Sequence, residues 1–245
     1  MSLKGKRALV TGASRGIGAA IAQKLAADGA DVAITYEKSA DRAAEVVRNI
    51  EAQGRRAVAI QADSADVNAI QHSVKQAVAE LGGLDILINN AATMFVGDLE
   101  DMSIEDIDQL IRVNIRSPIV ASKAVLPYLS RGGRIVTIGS YLAERVPWSN
   151  FSVYASTKSA MVALTKGLAR ELGPKGVTVN LVHPGPTDTD MNPETGPYAS
   201  MCIAITANGR YAKAEEIADA IAFLVSEKAC YITGTALTVD GGAIA

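Results

Sequence analysis

Aromatic residues are scarce in this chain of 245 residues, at 4% of the total against 49% for hydrophobic residues as a whole. Its core must therefore be built from Ala, Val, Ile and Leu. Cysteine and histidine are scarcer still. Cys202 and Cys230 lack any metal-type spacing, and His72 and His183 stand alone along the chain, so neither a metal site nor a cysteine nucleophile is expected. A formal charge of −2 leaves no basic patch to draw in nucleic acid. No apolar run approaches the roughly eighteen residues that span a bilayer. The opening MSLKGKRALV runs directly into a strand pattern, leaving no room for a signal peptide, and a cytoplasmic location is expected.

What the chain does have is strand-helix alternation, without an internal repeat, a linker or a low-complexity segment. Strand patterns fall at Arg7 to Thr11, Val32 to Tyr36, Ala57 to Gln61, Leu84 to Ile88, Arg134 to Ile138, Val177 to Val182 and Thr235 to Val239. Helical patterns intervene. One opens at Ser39-Ala40-Asp41, another runs from Asp66 to Leu81, and a long one from about Ser103 to Leu129 carries Pro118 and Pro127, which should bend or cap it. Alternation of this kind predicts a single α/β domain over 1–245, a doubly wound parallel sheet of seven strands with helices on both faces. Ligands should bind beyond the carboxyl ends of the strands.

The first strand leads into Thr11-Gly12-Ala13-Ser14-Arg15-Gly16-Ile17-Gly18 and then the apolar helix of Ala19, Ile21, Ala22 and Leu25. A strand, a glycine-rich turn, a helix and a strand within about thirty residues form a dinucleotide-binding unit, with the pyrophosphate on the helix N-terminus. The spacing here is G-x-x-x-G-x-G rather than the commoner G-x-G-x-x-G.

Tyr154 and Lys158 lie four apart in SNFSVYASTKSAMVALTKGLAREL and so share a helix face. A cation beside a phenol favours the phenolate and lowers its pKa, which suits a group that gives a proton to a carbonyl oxygen and takes it back. The same spacing also arises by chance, so the pair gains meaning from its company.

Taken together, TGASRGIG, Asn89-Asn90-Ala91, Asn114, Ser140, the Tyr154/Lys158 pair and His183-Pro184-Gly185 resemble the short-chain dehydrogenase/reductases along essentially the whole chain. Where that family usually has Gly after Asn-Asn-Ala, this chain has Ala92, one added methyl group beside the cofactor. The resemblance implies a Rossmann-type sheet and a catalytic set of Asn114, Ser140, Tyr154 and Lys158. In it, Tyr154 is the acid, Ser140 polarises the carbonyl, Lys158 holds the nicotinamide ribose, and Asn114 breaks the helix bonding and supports a proton relay to the lysine. The cofactor would be held by Gly12, Ser14, Arg15, Gly16, Ile17 and Gly18, by Tyr36, Lys38 and Ser39, by Asp63 and Ser64 on the adenine side, by Asn90 and Ala91, by Tyr154 and Lys158, and by Pro184, Gly185 and Thr187. Capping of the next helix is the other role open to Asp63.

Cofactor choice turns on the end of the second strand, Ile34-Thr35-Tyr36. An acid at that tip holds the ribose hydroxyls of NAD and repels a 2′-phosphate. Here the acid comes one residue later, as Glu37, while Arg15, Lys38 and Ser39 can meet a phosphate, so NADP(H) is expected over NAD(H). Residues 188–212 form the mobile segment that would close over substrate. The expected pocket walls are Met94, Phe95, Tyr141, Leu142, Trp148, Met191 and Tyr198, which suit a neutral, partly apolar carbonyl compound or the matching alcohol. Arg145 and Arg210 are the only basic residues nearby. The pattern is similar both to β-ketoacyl carrier-protein reductases and to aromatic or polyketide ketone reductases. A nucleotide-binding sensor with little chemistry is the other class of function left open. Surplus apolar residues on the Tyr154 helix (Phe151, Val153, Met161, Val162, Leu164 and Leu168) predict assembly, and the resemblance implies a homotetramer.

Overall fold

Short apolar runs with no polar alternation make strands that are buried on both faces. The computed structural model, which describes residues 2–245, joins seven strands into one parallel sheet: β1 (Arg7–Val10), β2 (Asp31–Tyr36), β3 (Ala57–Gln61), β4 (Ile86–Asn89), β5 (Arg134–Ile138), β6 (Thr178–Pro184) and β7 (Ala236–Val239), with β3 and β7 only partly buried. Their order across the sheet is β3-β2-β1-β4-β5-β6-β7. It reverses between β1 and β4, where Ala8 lies opposite Ile86 and Val10 opposite Ile88. A crevice opens at such a switch point.

Successive side chains of a strand point to opposite faces, and the core divides accordingly. Ala8, Val10, Val32, Ile34, Ile86 and Ile88 pack on one side against α1 (Gly16–Ala27), α2 (Ala40–Glu51) and α7 (Ala214–Val225). Leu9, Ala33, Leu87, Ile135 and Val179 pack on the other against α3 (Val67–Leu81), α5 (Ser117–Val125) and α6 (Ser152–Leu172). Neither layer has an aromatic residue among its fully buried members. Five aromatic side chains gather elsewhere, in a third cluster with Tyr154, Tyr141, Trp148, Phe151 and Phe95.

Two expectations about the helices need correction. Asp63 does not cap α3. Its carboxylate accepts from the Ala65 N–H, and Asp66 caps the helix by accepting from Asn68 and Ala69. The long helix ends at Val125 rather than Leu129 and carries a wide π-type turn, Arg112–Arg116, between α4 (Ile104–Ile111) and α5. Pro118 has no N–H to send to the carbonyl of Asn114, four residues back. Ser117 bonds instead to the Arg112 carbonyl, five residues back. The proline thus widens the turn at Asn114.

Candidate active site

Beyond the carboxyl ends of the strands lies a cavity of about 880 Å³. One end is walled by the glycine-rich turn. Gly12 sits at φ +63°, and a Cβ there would meet the Ala91 Cα at 2.8 Å, so only glycine allows this approach. Asn90 ties the two sides of the switch point together, donating from its amide to the carbonyls of Thr11 at 2.8 Å and Gly12 at 3.0 Å. The α1 N-terminus has neither a side-chain cap nor an acid in its first turn, so its N–H groups are left for an anion. Ser14, Arg15, Gly16, Ile17 and Gly18 line this end, followed by Tyr36, Lys38, Ser39, Asp63 and Ser64. Asn90, Ala91, Pro184, Gly185 and Thr187 line the middle of the same cavity. These residues fit a dinucleotide: a glycine-rich approach, an uncapped helix N-terminus and basic side chains stand in sequence along one crevice.

The basic groups are engaged. Arg15 meets Asp190 at 3.1 Å, and Arg42 bonds the same Asp190 oxygen. The two guanidiniums hold the Asp190 carboxyl below its usual range. Lys38 pairs with Glu37 at 3.0 Å. Sequence reasoning missed Arg42 and Asp190, since nothing in the chain links positions so far apart.

At the other end Ser140, Tyr154 and Lys158 converge, all three buried. Lys158 donates to the Ile138 carbonyl at 3.1 Å and lies 5.7 Å from the centre of the Tyr154 ring. Burial drives the Lys158 pKa down to about 8. The expectation that the lysine lowers the tyrosine pKa is reversed: burial pushes Tyr154 up to about 12, with a hydrogen bond to the Ser140 hydroxyl pulling weakly the other way. Loss of water around the phenol outweighs the Ser140 hydrogen bond. Ser140 also performs the turn chemistry expected of a Ser after Gly, its oxygen accepting from Leu142 N–H at 3.2 Å.

Asn114 is buried, not a surface position. Its oxygen accepts from Thr93 N–H and its amide donates to the Thr93 carbonyl, both at 2.9 Å, and it also donates to Thr157 Oγ1 at 3.2 Å. The side chain therefore clamps the loop after β4 to α6. Thr187 donates to the Gly185 carbonyl at 3.0 Å.

Of the expected pocket walls, Met94, Tyr141, Leu142, Trp148, Met191 and Tyr198 line the cavity. Phe95 does not; it packs into the aromatic cluster. Val96, Gln109, Val113, Phe151, Met201 and Cys202 are added. Arg145 is spent on the Ala243 carbonyl at 2.9 Å, and Arg210 on a two-point pair with Glu216 at 2.7 Å. Among the described residues no group of three or more His, Cys, Asp or Glu is gathered to hold a metal ion, and no helix is long and apolar enough to cross a membrane.

A family model described as enoyl-(acyl carrier protein) reductase matches residues 12–243. A short-chain dehydrogenase from Burkholderia cenocepacia J2315, solved in complex with NADP, is 57% identical and superposes with a TM-score of 0.99 over 100% of both chains. This chain belongs to the short-chain dehydrogenase/reductases. Two further relatives of this reductase-family chain bear on its role. A blue fluorescent protein from a metagenomic library, solved in complex with NADPH, is 46% identical with a TM-score of 0.98 over 100% of both chains. The cyclic-di-GMP-binding biofilm dispersal mediator protein of Escherichia coli (strain K12) is 40% identical, over 97% of this chain and 96% of its own.

Proposed function

We propose that the protein is an NADP(H)-dependent oxidoreductase that interconverts a neutral, partly apolar carbonyl compound and its alcohol. The observation that carries this reading is the buried convergence of Ser140, Tyr154 and Lys158 on one end of a crevice whose other end is glycine-rich and basic. The glycine-rich turn and α1 N-terminus would hold the pyrophosphate, Arg15 and Arg42 the 2′-phosphate, and Lys158 the nicotinamide ribose. Bound NADPH supplies the hydride. The chain itself does the rest. Tyr154 gives its phenol proton to the carbonyl oxygen as charge develops there, and Ser140 donates a second hydrogen bond to the same oxygen. A phenol whose free pKa is about 12 keeps its proton at neutral pH until an acceptor gains negative charge. The cationic Lys158 then favours the tyrosinate left behind. Asn114 holds the catalytic helix and the loop after β4 in register. Residues 188–212 cover the substrate, and the assembly is a homotetramer.

Arg145 and Arg210 do not line the cavity and are both engaged, which leaves Lys158 as the one cation at its substrate end among the described residues. That favours neutral ketones over anionic acyl carriers. The test is NADPH oxidation by the purified protein over cyclic and aryl ketones, diketones, β-ketoesters and sugars. Turnover on the neutral ketones supports the reading. NADPH binding with no carbonyl reduced overturns it in favour of a second reading, a nucleotide-binding regulator, for which the 40% identity to a cyclic-di-GMP-binding protein speaks. Calorimetric titration with cyclic-di-GMP separates the two.

A further inference from the structure

His183 is the most deeply buried titratable side chain beside the active site, at 0% exposure, and no step above uses it. Its Nδ1 accepts a hydrogen bond from the backbone N–H of Ser140 at 3.0 Å. That makes Nε2 the protonated nitrogen of a neutral ring. Among the described residues Nε2 has no hydrogen-bond partner, and the Glu144 carboxylate stands 3.7 Å away. Gly139 completes the arrangement. A Cβ at that position would run into His183 Nδ1, so the chain has no side chain where the ring must pass.

The surroundings keep the ring neutral. Burial lowers its pKa, Lys158 on α6 lowers it further, and Glu144, after the short turn Tyr141–Ala143, opposes them. On β7 the residue in register with His183 is Thr238, which does not titrate.

We infer that His183 is a positioning residue for Ser140, its Nδ1 lone pair fixing the serine backbone so that the hydroxyl is aimed at the substrate oxygen. The inference rests on the role proposed for Ser140. Protonated His183 presents an N–H to the Ser140 N–H, a donor facing a donor, and the serine loses its anchor. Turnover therefore fails in acid through the serine, not through the cofactor.

Two kinds of measurement test this. The first needs no activity. In the full chain carrying His72→Gln, which removes the other imidazole, the nitrogen spectrum should show Nε2 protonated and Nδ1 bare at neutral pH, with protonation only below the range of ordinary histidines. A ring protonated on Nδ1 overturns the inference. The second is kinetic. His183→Leu should lower kcat at least about tenfold with little change in KM for NADPH. His183→Asn, whose amide oxygen can take the Nδ1 place, should recover most of kcat and abolish the acidic fall. Glu144→Gln should move that fall to lower pH. An unchanged acidic limb in His183→Asn overturns the inference, and should His183→Leu fail to fold, that limb still decides. Full turnover in Ser140→Ala would instead strike at the role of Ser140 and leave the spectral result standing.

Discussion

Asp190, in the segment that follows β6, reaches back across 175 residues to Arg15 at 3.1 Å, and Arg42 grips the same carboxylate oxygen. The pair of guanidiniums that would read a 2′-phosphate already holds an anion of the chain's own. Under the proposed function an incoming phosphate displaces it, which would couple cofactor choice to residues 188–212.

The first prediction is a change in cofactor preference. Arg15→Ala should weaken NADPH roughly tenfold or more while leaving NADH almost unaffected, and Arg42→Ala should act in the same direction. Asp190→Asn should tighten NADPH by freeing both guanidiniums. Fluorescence titration of each variant with both cofactors gives the answer. Equal losses for NADPH and NADH in Arg15→Ala would mean that the arginine supports the loop and reads nothing.

Tyr154→Phe removes one oxygen atom from a buried site. NADPH binding should survive, and turnover should fall by roughly 10²–10⁴-fold. A variant retaining more than about a tenth of wild-type kcat would show that the proton comes from elsewhere.

Lys158 sets activity against stability. Its folded pKa of about 8 lies below the 10.5 of an exposed lysine. Between those values the unfolded chain binds a proton that the folded chain has released, so stability rises with pH across that window. At neutral pH the fold carries the full cost of a buried ammonium, ~3 kcal/mol for a shift of this size. Lys158→Met removes that cost and leaves the Ile138 carbonyl unpaired, at ~1–2 kcal/mol. The variant should be inactive yet melt a few degrees higher at pH 7, the gain shrinking by pH 10. A lower melting temperature at pH 7 would contradict this.

Asn114→Ala deletes both bonds to Thr93 and the bond to Thr157. The expected cost is about 2–4 kcal/mol, read from urea unfolding. Proteolysis of the loop after β4 should quicken before global unfolding does. A loss within ~0.5 kcal/mol would remove the clamp from consideration.

Assembly gives the last prediction. Ile104 and Ile111 on α4 and Ile119 on α5 are 68%, 44% and 42% exposed, a strip that nothing within one chain covers. Light scattering should report a tetramer, and Ile111→Glu should shift it toward smaller species. A wild-type mass near 25.5 kDa would rule the tetramer out.

β1 and β4 were legible as unbroken apolar runs buried on both faces, and all seven strands lie within two residues of the expected bounds. The glycine-rich turn was legible because Gly12 answers a steric demand that only glycine meets. Less could be read where a property depends on burial or distant neighbours. Spacing put Lys158 beside Tyr154 but held no measure of how dry the site is, so the direction of the tyrosine pKa came out reversed. Asp63 and Asp66 are equally good caps on paper, and only the path of the backbone chooses between them. The wide turn at Asn114 was written in Pro118, four residues on, yet proline alone does not say whether a helix bends, ends or widens. His183 met Ser140 through two neighbouring strands, a pairing that sequence distance hides.

Sheet order has a consequence for how the protein is made. Thr11 receives the backbone of Asn90 and Ala91 on its hydroxyl, and β1 gains its second neighbour only when β4 arrives. A nascent chain that has completed β3 already holds the whole glycine-rich turn, but one edge of β1 is bare and the crevice has a single wall. Such an edge invites pairing with other chains. The dinucleotide cannot rescue this stage, because its second wall begins only at Asn90 and Ala91 and its far end needs Lys158 and Thr187. Between the synthesis of β3 and that of β4 this edge of β1 stays bare, so the growing chain passes through a stage exposed to aggregation.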